Sequence, residues 1–198
     1  MSNMKLWDSV QVTDPSHTKK VNQRGGFTSI SAHYQVMRAT EVFGPVGTGW
    51  GYDCGEPIFH GPFVIVPVMI WYGERSKRFG PIYGAAEMMG SRPDSDAPKK
   101  AMTDALTKAL SHLGFNADVF LGKFDDNKYV AEVTELYSPR ITAEQAATLR
   151  DMLAETNSDE AKFCEAMACE SLESMPAGKF DAAKKAIEKK AQQLAKAA

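Results

Sequence analysis

Short groups of lysine and arginine recur along the sequence and are its best candidates for chemistry. Their charged side chains neutralise phosphates, so several groups collected in one groove would bind a nucleic-acid backbone. Any one group alone is more often part of a solvated surface. The groups fall near turns, at a strand start and on the outward side of a helix, and they are Lys19, Lys20 and Arg24, then Arg75, Lys77 and Arg78, then Lys99 and Lys100, and finally Lys108.

The overall charge does not by itself favour binding to nucleic acid. The chain has 23 basic and 25 acidic residues among 198, which gives a net charge of -2. Long-range attraction to phosphate is therefore weak. Any binding groove must gather its cations locally, and assembly of several copies would repeat that local patch along the groove.

Enzymatic chemistry has little support in the sequence. The glycine-rich run 44–51 lacks the Gly-Lys-Ser/Thr ending of a phosphate-binding loop, so no nucleotide cofactor is expected. Histidines and cysteines show no metal-ligand spacing. A remote alternative is a metal-dependent nuclease in which Asp94 and Asp126 hold magnesium and Lys128 assists. The sequence predicts a binding protein with no catalytic residue, metal or cofactor.

Two helices and a β-meander are predicted to position the cations. A helix is expected over residues 31–43, ended by Gly44, and an amphipathic helix over 97–113, ended by Gly114. Between them, residues 50–52, 63–71 and 75–83 favour antiparallel strands. Pro67 requires a bulge or an edge in the central strand. The predicted fold class is α+β, an antiparallel β-meander packed on helices in a β-β-β-α core.

Ser138–Pro139 marks the predicted domain boundary. Beyond it the chain is rich in alanine, glutamate and lysine, and Thr142-Ala-Glu-Gln145 has the pattern of a capping box that opens a helix. Two further helix starts follow, at 157–160 and at 176–180. Residues 1–138 are therefore predicted to form the larger domain and residues 139–198 a small three-helix module. At the end of the larger domain, 127–137 fits a helix, although 129–133 also fits a strand.

Two stretches of the first domain carry a resemblance to a known family. One has a glycine turn, a helix that closes on a hydrophobe and Phe-Gly, and then Gly-Trp. The other is a helix with Thr-Asp, a basic residue, Ala-Leu and a closing glycine. The sequence from Lys19 to about Gly122 is similar to Rad-fifty-two-type single-strand annealing proteins, and the residues that carry this are Gly25-Gly26, Ile30-Ser-Ala-His33, Val36-Met-Arg-Ala-Thr-Glu-Val-Phe-Gly44, Gly49-Trp50 and Lys99 to Gly114.

The resemblance assigns roles to the cationic groups. Lys19, with Lys20 beside it, matches a basic residue before the glycine turn, and Lys99 and Lys100 match the basic start of the second helix. Lys108 matches the second member of a basic pair, whose first member is Thr107 here. The hairpin at 75–78 corresponds to one where the family keeps cations. Arg24 belongs to the same group as Lys19 in the sequence.

The tail resembles the C-terminal module of phage annealing proteins of the RecT and Red-beta kind. The residues that carry this are Ile141-Thr-Ala-Glu-Gln145, Lys162-Phe163 and Glu170-Ser-Leu-Glu-Ser-Met-Pro176. The resemblance implies that residues 139–198 contact a phage exonuclease or the acidic tail of the host single-strand-binding protein. It also implies a bacteriophage origin.

The expected function is ATP-independent binding of single-stranded DNA and annealing of complementary strands in homologous recombination or repair. The resemblance implies a homo-oligomeric ring or helical filament, with the strand in an outer groove and its base edges exposed. The open alternative is a module that coats single-stranded DNA or RNA without annealing it. No apolar run is long enough to span a membrane and none follows Met1–Lys5, so a cytoplasmic location is expected, in the host cell if the chain is phage-encoded.

Overall fold

The computed structural model describes residues 3–22, 25–90 and 92–197 and divides into two compact units, Met1–Val133 and Thr134–Ala198. The division lies inside a helix that ends just before Pro139. The first unit is α+β and the second is helical, so the predicted fold class is confirmed. None of the described helices is long and apolar enough to span a membrane.

In its described residues, the first unit contains two antiparallel sheets and five α-helices, of which the fifth continues into the second unit. Its elements are α1 (Lys5–Val10), β1 (Thr18–Val21), β2 (Phe27–Ile30), α2 (Ala32–Phe43), β3 (Trp50–Cys54), β4 (Ile58–His60), β5 (Phe63–Tyr72), β6 (Phe79–Glu87), α3 (Ala97–Ser111), α4 (Ala117–Phe120) and α5 (Asn127–Tyr137). The segment 127–137, for which a strand was the alternative, is helical.

The larger sheet is built on β5, which pairs with β6 along one edge and with β3 and β4 along the other. Pro67 of β5 has no N–H to donate, and it lies opposite the gap between the end of β3 and the start of β4. In that gap the Pro67 carbonyl accepts a hydrogen bond from the Gly55 N–H at 2.9 Å. The proline therefore interrupts no ladder bond, as the sequence requires.

Helix α3 covers one face of this sheet. Alternate β5 residues, Val64, Val66, Val68 and Ile70, are buried under it, as the period of two in a strand dictates. The helix meets β6 at Gly84, where a Cβ would overlap backbone atoms of Ala101 and Ala105. Small residues at the contact let α3 lie close to the sheet. This close packing sets which side of α3 faces away from the strands.

The strand β1 and its partner β2 were not predicted, because residues 8–28 are polar and rich in turn residues. Each strand has four residues, and the pairing sets Lys19 opposite Ser29 and Lys20 opposite Thr28. The returning strand of the meander was predicted at 75–83 but runs over Phe79–Glu87, since residues 73–78 form the turn. The predicted helices over 31–43 and 97–113 are confirmed within two residues at each end.

The second unit holds helices α6 (Ala143–Glu155), α7 (Glu160–Ala166) and α8 (Phe180–Ala197) around an apolar core. The predicted capping box is present: the Thr142 hydroxyl accepts from the Gln145 N–H at 3.1 Å, and the Gln145 side chain accepts from the Thr142 N–H at 2.9 Å. Leu149, Leu153, Leu172 and Met175 are almost fully buried. The three-helix architecture predicted for the tail is confirmed.

Candidate nucleic-acid interface

A groove runs along the outward side of α3, next to the start of α2. It is lined by Ile30 and Ala32 on one side and by Asp96, Lys99, Lys100, Thr103, Asp104 and Thr107 of the α3 region on the other, with a volume of about 430 Å³. We call it the α3 groove. Because Ile30 ends β2, the β1–β2 hairpin adjoins the groove.

Both lysines in the α3 groove are exposed and each contacts an aspartate. Lys99 Nζ is 2.9 Å from Asp96, and Lys100 Nζ donates to Asp94 at 2.5 Å. The hydrogen bond from Lys100 lowers the pKa of the Asp94 carboxyl, and the same bond raises the pKa of Lys100. Both groups are therefore charged at neutral pH, and the aspartate offsets part of the field that a phosphate would meet.

Lys108 lies further along α3 and contacts Asp104 at 2.7 Å. The Asp104 carboxylate also accepts from the backbone N–H of Ala85 on β6, at 3.2 Å. Asp104 is thus held between the helix and the sheet, and Lys108 is held beside the groove through it. Thr107, where the resemblance expects a basic residue, lines the groove with its shorter, uncharged side chain.

Lys19 and Lys20 are exposed on β1, and in the described part of the chain neither forms an ion pair. Their charges are therefore not offset by a bound carboxylate, unlike those on α3. Arg24, predicted to act with them, lies outside the described residues.

The cations of the β5–β6 turn lie in a different place. Arg75 donates to Asp53 of β3 at 2.6 Å, Arg78 is 3.7 Å from the same carboxylate, and Lys77 contacts Glu74 at 2.8 Å. Arg75 and Asp53 line a separate depression of about 340 Å³ with Trp71. None of the three cations lines the α3 groove, so their part in binding stays a prediction.

A second cavity, of about 300 Å³, adjoins the α3 groove and shares Ile30, Asp104 and Thr107 with it. Its other lining residues are Phe27, Thr28, Ser29, Gln35, Val119 and Phe120. We call it the Gln35 cavity. This cavity was not predicted, because β2 was not predicted and Gln35 was not assigned to the buried face of α2. The spacing of four between Gln35 and the fully buried Ala39 is the signal that was available.

The carboxylates of the nuclease alternative have structural partners of their own. Asp94 is bonded to Lys100 and also accepts from the Asp96 N–H at 3.0 Å, while Asp126 accepts from the Lys128 N–H at 2.8 Å. In the described ranges no three acidic, histidine or cysteine side chains stand together in a way that could hold a metal ion.

The second unit presents a basic helix face. Helix α8 exposes Lys184, Lys185, Lys189 and Lys190, while Ala183 and Ile187 are buried in the core. Lys190 donates to the Ser158 hydroxyl at 2.7 Å. Lysines outnumber acidic residues on this helix, so its exposed side is positively charged.

No protein-family model matches this sequence, and a search of curated proteins finds no match either. The geometry therefore has to carry the functional argument. It supplies a groove with exposed lysines beside it, lysines on the adjoining hairpin that no described carboxylate binds, and a cavity that opens next to the groove.

Proposed function

We propose that this protein binds single-stranded DNA along the α3 groove and the β1–β2 hairpin and anneals complementary strands without nucleotide hydrolysis. The observation that carries the proposal is the arrangement of the groove. Exposed Lys99 and Lys100 line it, and so does Ile30, the last residue of β2. Lys19 and Lys20 lie on β1, the strand paired with β2. The resemblance of 19–122 to single-strand annealing proteins points to the same ligand.

Physical chemistry links such a groove to annealing. Contacts to phosphates supply affinity that does not depend on sequence and falls as salt is added. A strand held by its backbone leaves its base edges free for a complementary strand. Formation of the duplex then provides the driving force, which removes the need for a nucleotide cofactor.

The aspartates bound to the α3 lysines are compatible with this proposal. Exposed ion pairs contribute only about 0–1 kcal/mol each, so phosphate can replace the carboxylate at little cost in stability. With these aspartates nearby and a net charge of -2, the chain would hold the DNA only at the groove and would release it readily. Repetition of the groove in a ring or filament of identical subunits would raise the affinity by linking many weak sites.

The second unit is proposed to recruit a protein partner. The exposed lysines of α8 suit an acidic peptide, such as the acidic tail of a host single-strand-binding protein; a phage exonuclease is the other partner that the resemblance suggests. Annealing of bare strands would then need only the first unit, and annealing of strands already covered by the host protein would need both.

The test is the pairing rate of two complementary labelled oligonucleotides without ATP, beside a non-complementary pair. We expect the protein to accelerate pairing of the complementary strands only. Binding without acceleration would reduce the function to strand coating, and equal binding of an RNA oligonucleotide would extend that coating role to RNA. Strand degradation that requires magnesium and is lost in Asp126→Ala would instead establish the nuclease alternative.

A further inference from the structure

The Gln35 cavity contains polar atoms that have no partner within the described chain. Gln35 is 0% exposed, yet neither its amide nitrogen nor its amide oxygen has a hydrogen-bond partner, and the buried hydroxyl of Thr28 also lacks one. A buried polar group left in this state is destabilising, because it has lost its hydrogen bonds to water and gained none in exchange. A ligand that offers both a donor and an acceptor at this depth would remove that cost.

The mouth of the cavity is aromatic. Phe27 and Phe120 both line it and are 50% and 52% exposed, whereas Gln35 is fully buried and so lies at its deep end. Exposed aromatic rings are the usual surfaces on which unpaired bases stack. Since the Gln35 amide has no exposed surface, a ligand must part the side chains above it to reach it.

The size and chemistry of the cavity fit one nucleobase. Its volume of about 300 Å³ is at the lower end of the range for small-molecule sites. A glutamine side chain carries an N–H donor beside a carbonyl acceptor. Each of the four bases also carries a donor next to an acceptor on its pairing edge, so one rotatable amide can match any of them. Such a site would bind a base of any type, so binding would not depend on the DNA sequence.

We infer that the Gln35 cavity holds one base of the strand bound in the α3 groove, with its pairing edge on the Gln35 amide and Thr28 and its ring against Phe27 or Phe120. This inference rests on the proposed function, because the shared lining residues connect the cavity to the groove where the backbone would lie. One base per subunit is then withheld from the complementary strand until pairing on either side draws it out.

The experiment compares two strands of equal length, an oligo-dT and a fully abasic strand that keeps the phosphates. On the full chain, we expect oligo-dT to bind about tenfold more tightly than the abasic strand. Gln35→Met, which keeps the side-chain length and removes both amide atoms, should lower affinity for oligo-dT about tenfold and leave the abasic strand unaffected. Because the variant removes unpartnered polar atoms, its melting temperature should stay the same or rise.

Two further variants make the result decisive. Gln11→Met is the same change at a half-buried site outside the cavity and should alter neither affinity. Phe120→Leu changes an exposed ring at the mouth and should weaken oligo-dT binding several-fold, so it tests the inference even if Gln35→Met does not fold.

The outcomes separate the two proposals. If the wild-type protein binds both strands equally, with strong salt dependence, strand binding stands and the base site is overturned. If both Gln35→Met and Phe120→Leu kept the wild-type preference for oligo-dT over the abasic strand, the base site would also be overturned. Ordered water would then be the occupant of the cavity. If the wild-type protein binds neither strand, the proposed function fails and the base site fails with it.

Discussion

The two compact units differ in how they satisfy their buried polar atoms. In the first unit, side-chain atoms of Thr28, Gln35, Arg38, Asp53 and Asn116 are buried without a hydrogen-bond partner, and among the described residues of the second unit there is no such atom. The one buried polar residue there, Thr156, bonds to the carbonyls of Met152 and Leu153 at 3.1 and 3.2 Å. In the described part of the second unit, the buried side-chain polar atoms all have hydrogen-bond partners, whereas the first unit keeps buried polar groups that a ligand could bond to.

The contrast extends to charge. In the second unit, Arg150 is bound by two carboxylates, those of Glu160 and Glu173, at 3.0 and 2.9 Å, and the hydrogen bond to Glu160 is the main reason that the pKa of Arg150 is raised. In the first unit, Lys19 and Lys20 have no carboxylate partner among the described residues. The contrast is local: Arg150 links α6 to Glu160 of α7 and to Glu173, whereas the β1–β2 hairpin keeps two cations that no described carboxylate binds.

The largest expected effect comes from opening the second unit. Leu149 is 0% exposed in its core, so Leu149→Ala should lower the stability of that unit by about 2–5 kcal/mol. The affinity of the first unit for single-stranded DNA should not change. Cys164 provides a local probe: burial is the main cause that raises its pKa to about 11, so its thiol should react slowly at pH 8 until the unit opens.

The matched control for this change is Leu110→Ala, which removes an equally buried leucine from α3 in the first unit. We expect it to weaken strand binding and to leave the labelling rate of Cys164 unchanged. A loss of strand affinity in Leu149→Ala equal to that in Leu110→Ala would show that the second unit is part of the binding site.

A smaller effect should separate satisfied from unsatisfied hydroxyls. Thr156→Val removes a hydroxyl that bonds to two carbonyls and to Ser158, and it should lower stability by about 1–3 kcal/mol. Thr28→Val replaces a buried hydroxyl that has no partner, so stability should be unchanged or higher. Chemical denaturation of the two variants measures the difference. An equal loss in both would mean that the Thr28 hydroxyl is bonded in solution, and the contrast between the units would weaken.

The smallest effect concerns the ion pairs on α3. Asp94→Asn removes the carboxylate bound to Lys100, which should raise strand affinity a few-fold at low salt and leave the free energy of unfolding almost unchanged, because an exposed ion pair contributes little to stability. Lys100→Ala should act in the opposite direction. Titration with a labelled oligo-dT at low and moderate salt reads both changes. If strand affinity were unchanged in Asp94→Asn or in Lys100→Ala, Lys100 would not be part of the binding surface.

Local signals in the sequence predicted much of the fold. Ser31 and Gly44 bound α2 as expected, Thr142 and Gln145 form their capping box, and the β-branched run of β5 is a central strand. These features depend on neighbours in sequence or on the period of a single element. Such signals were sufficient for the second unit, where every helix starts at a predicted position within a few residues.

The candidate site was harder to predict because its parts come from separate stretches of sequence. The β1–β2 hairpin has strands of four residues with little apolar alternation, so nothing local distinguished it from a turn. Gln35 and Asp104 line one cavity although they lie far apart in the chain, and only the packing of α2, α3 and β2 brings them together. The aspartate partners of the α3 lysines were visible in sequence at spacings of three to six but were not weighed.

The central claim is that the strand lies along the surface formed by the β1–β2 hairpin and α3, and the salt dependence of strand binding tests it most directly. The double variant Lys19→Ala, Lys20→Ala should lower the slope of log affinity against log salt by about 0.7 to 1.4, because each phosphate contact on a single strand contributes about 0.7 and neighbouring side chains of a strand point to opposite faces. Lys184→Ala, Lys185→Ala, the matched change on α8 of the second unit, should leave the slope unchanged. An unaltered slope in the first pair, or an equal fall in both, would contradict the placement of the strand.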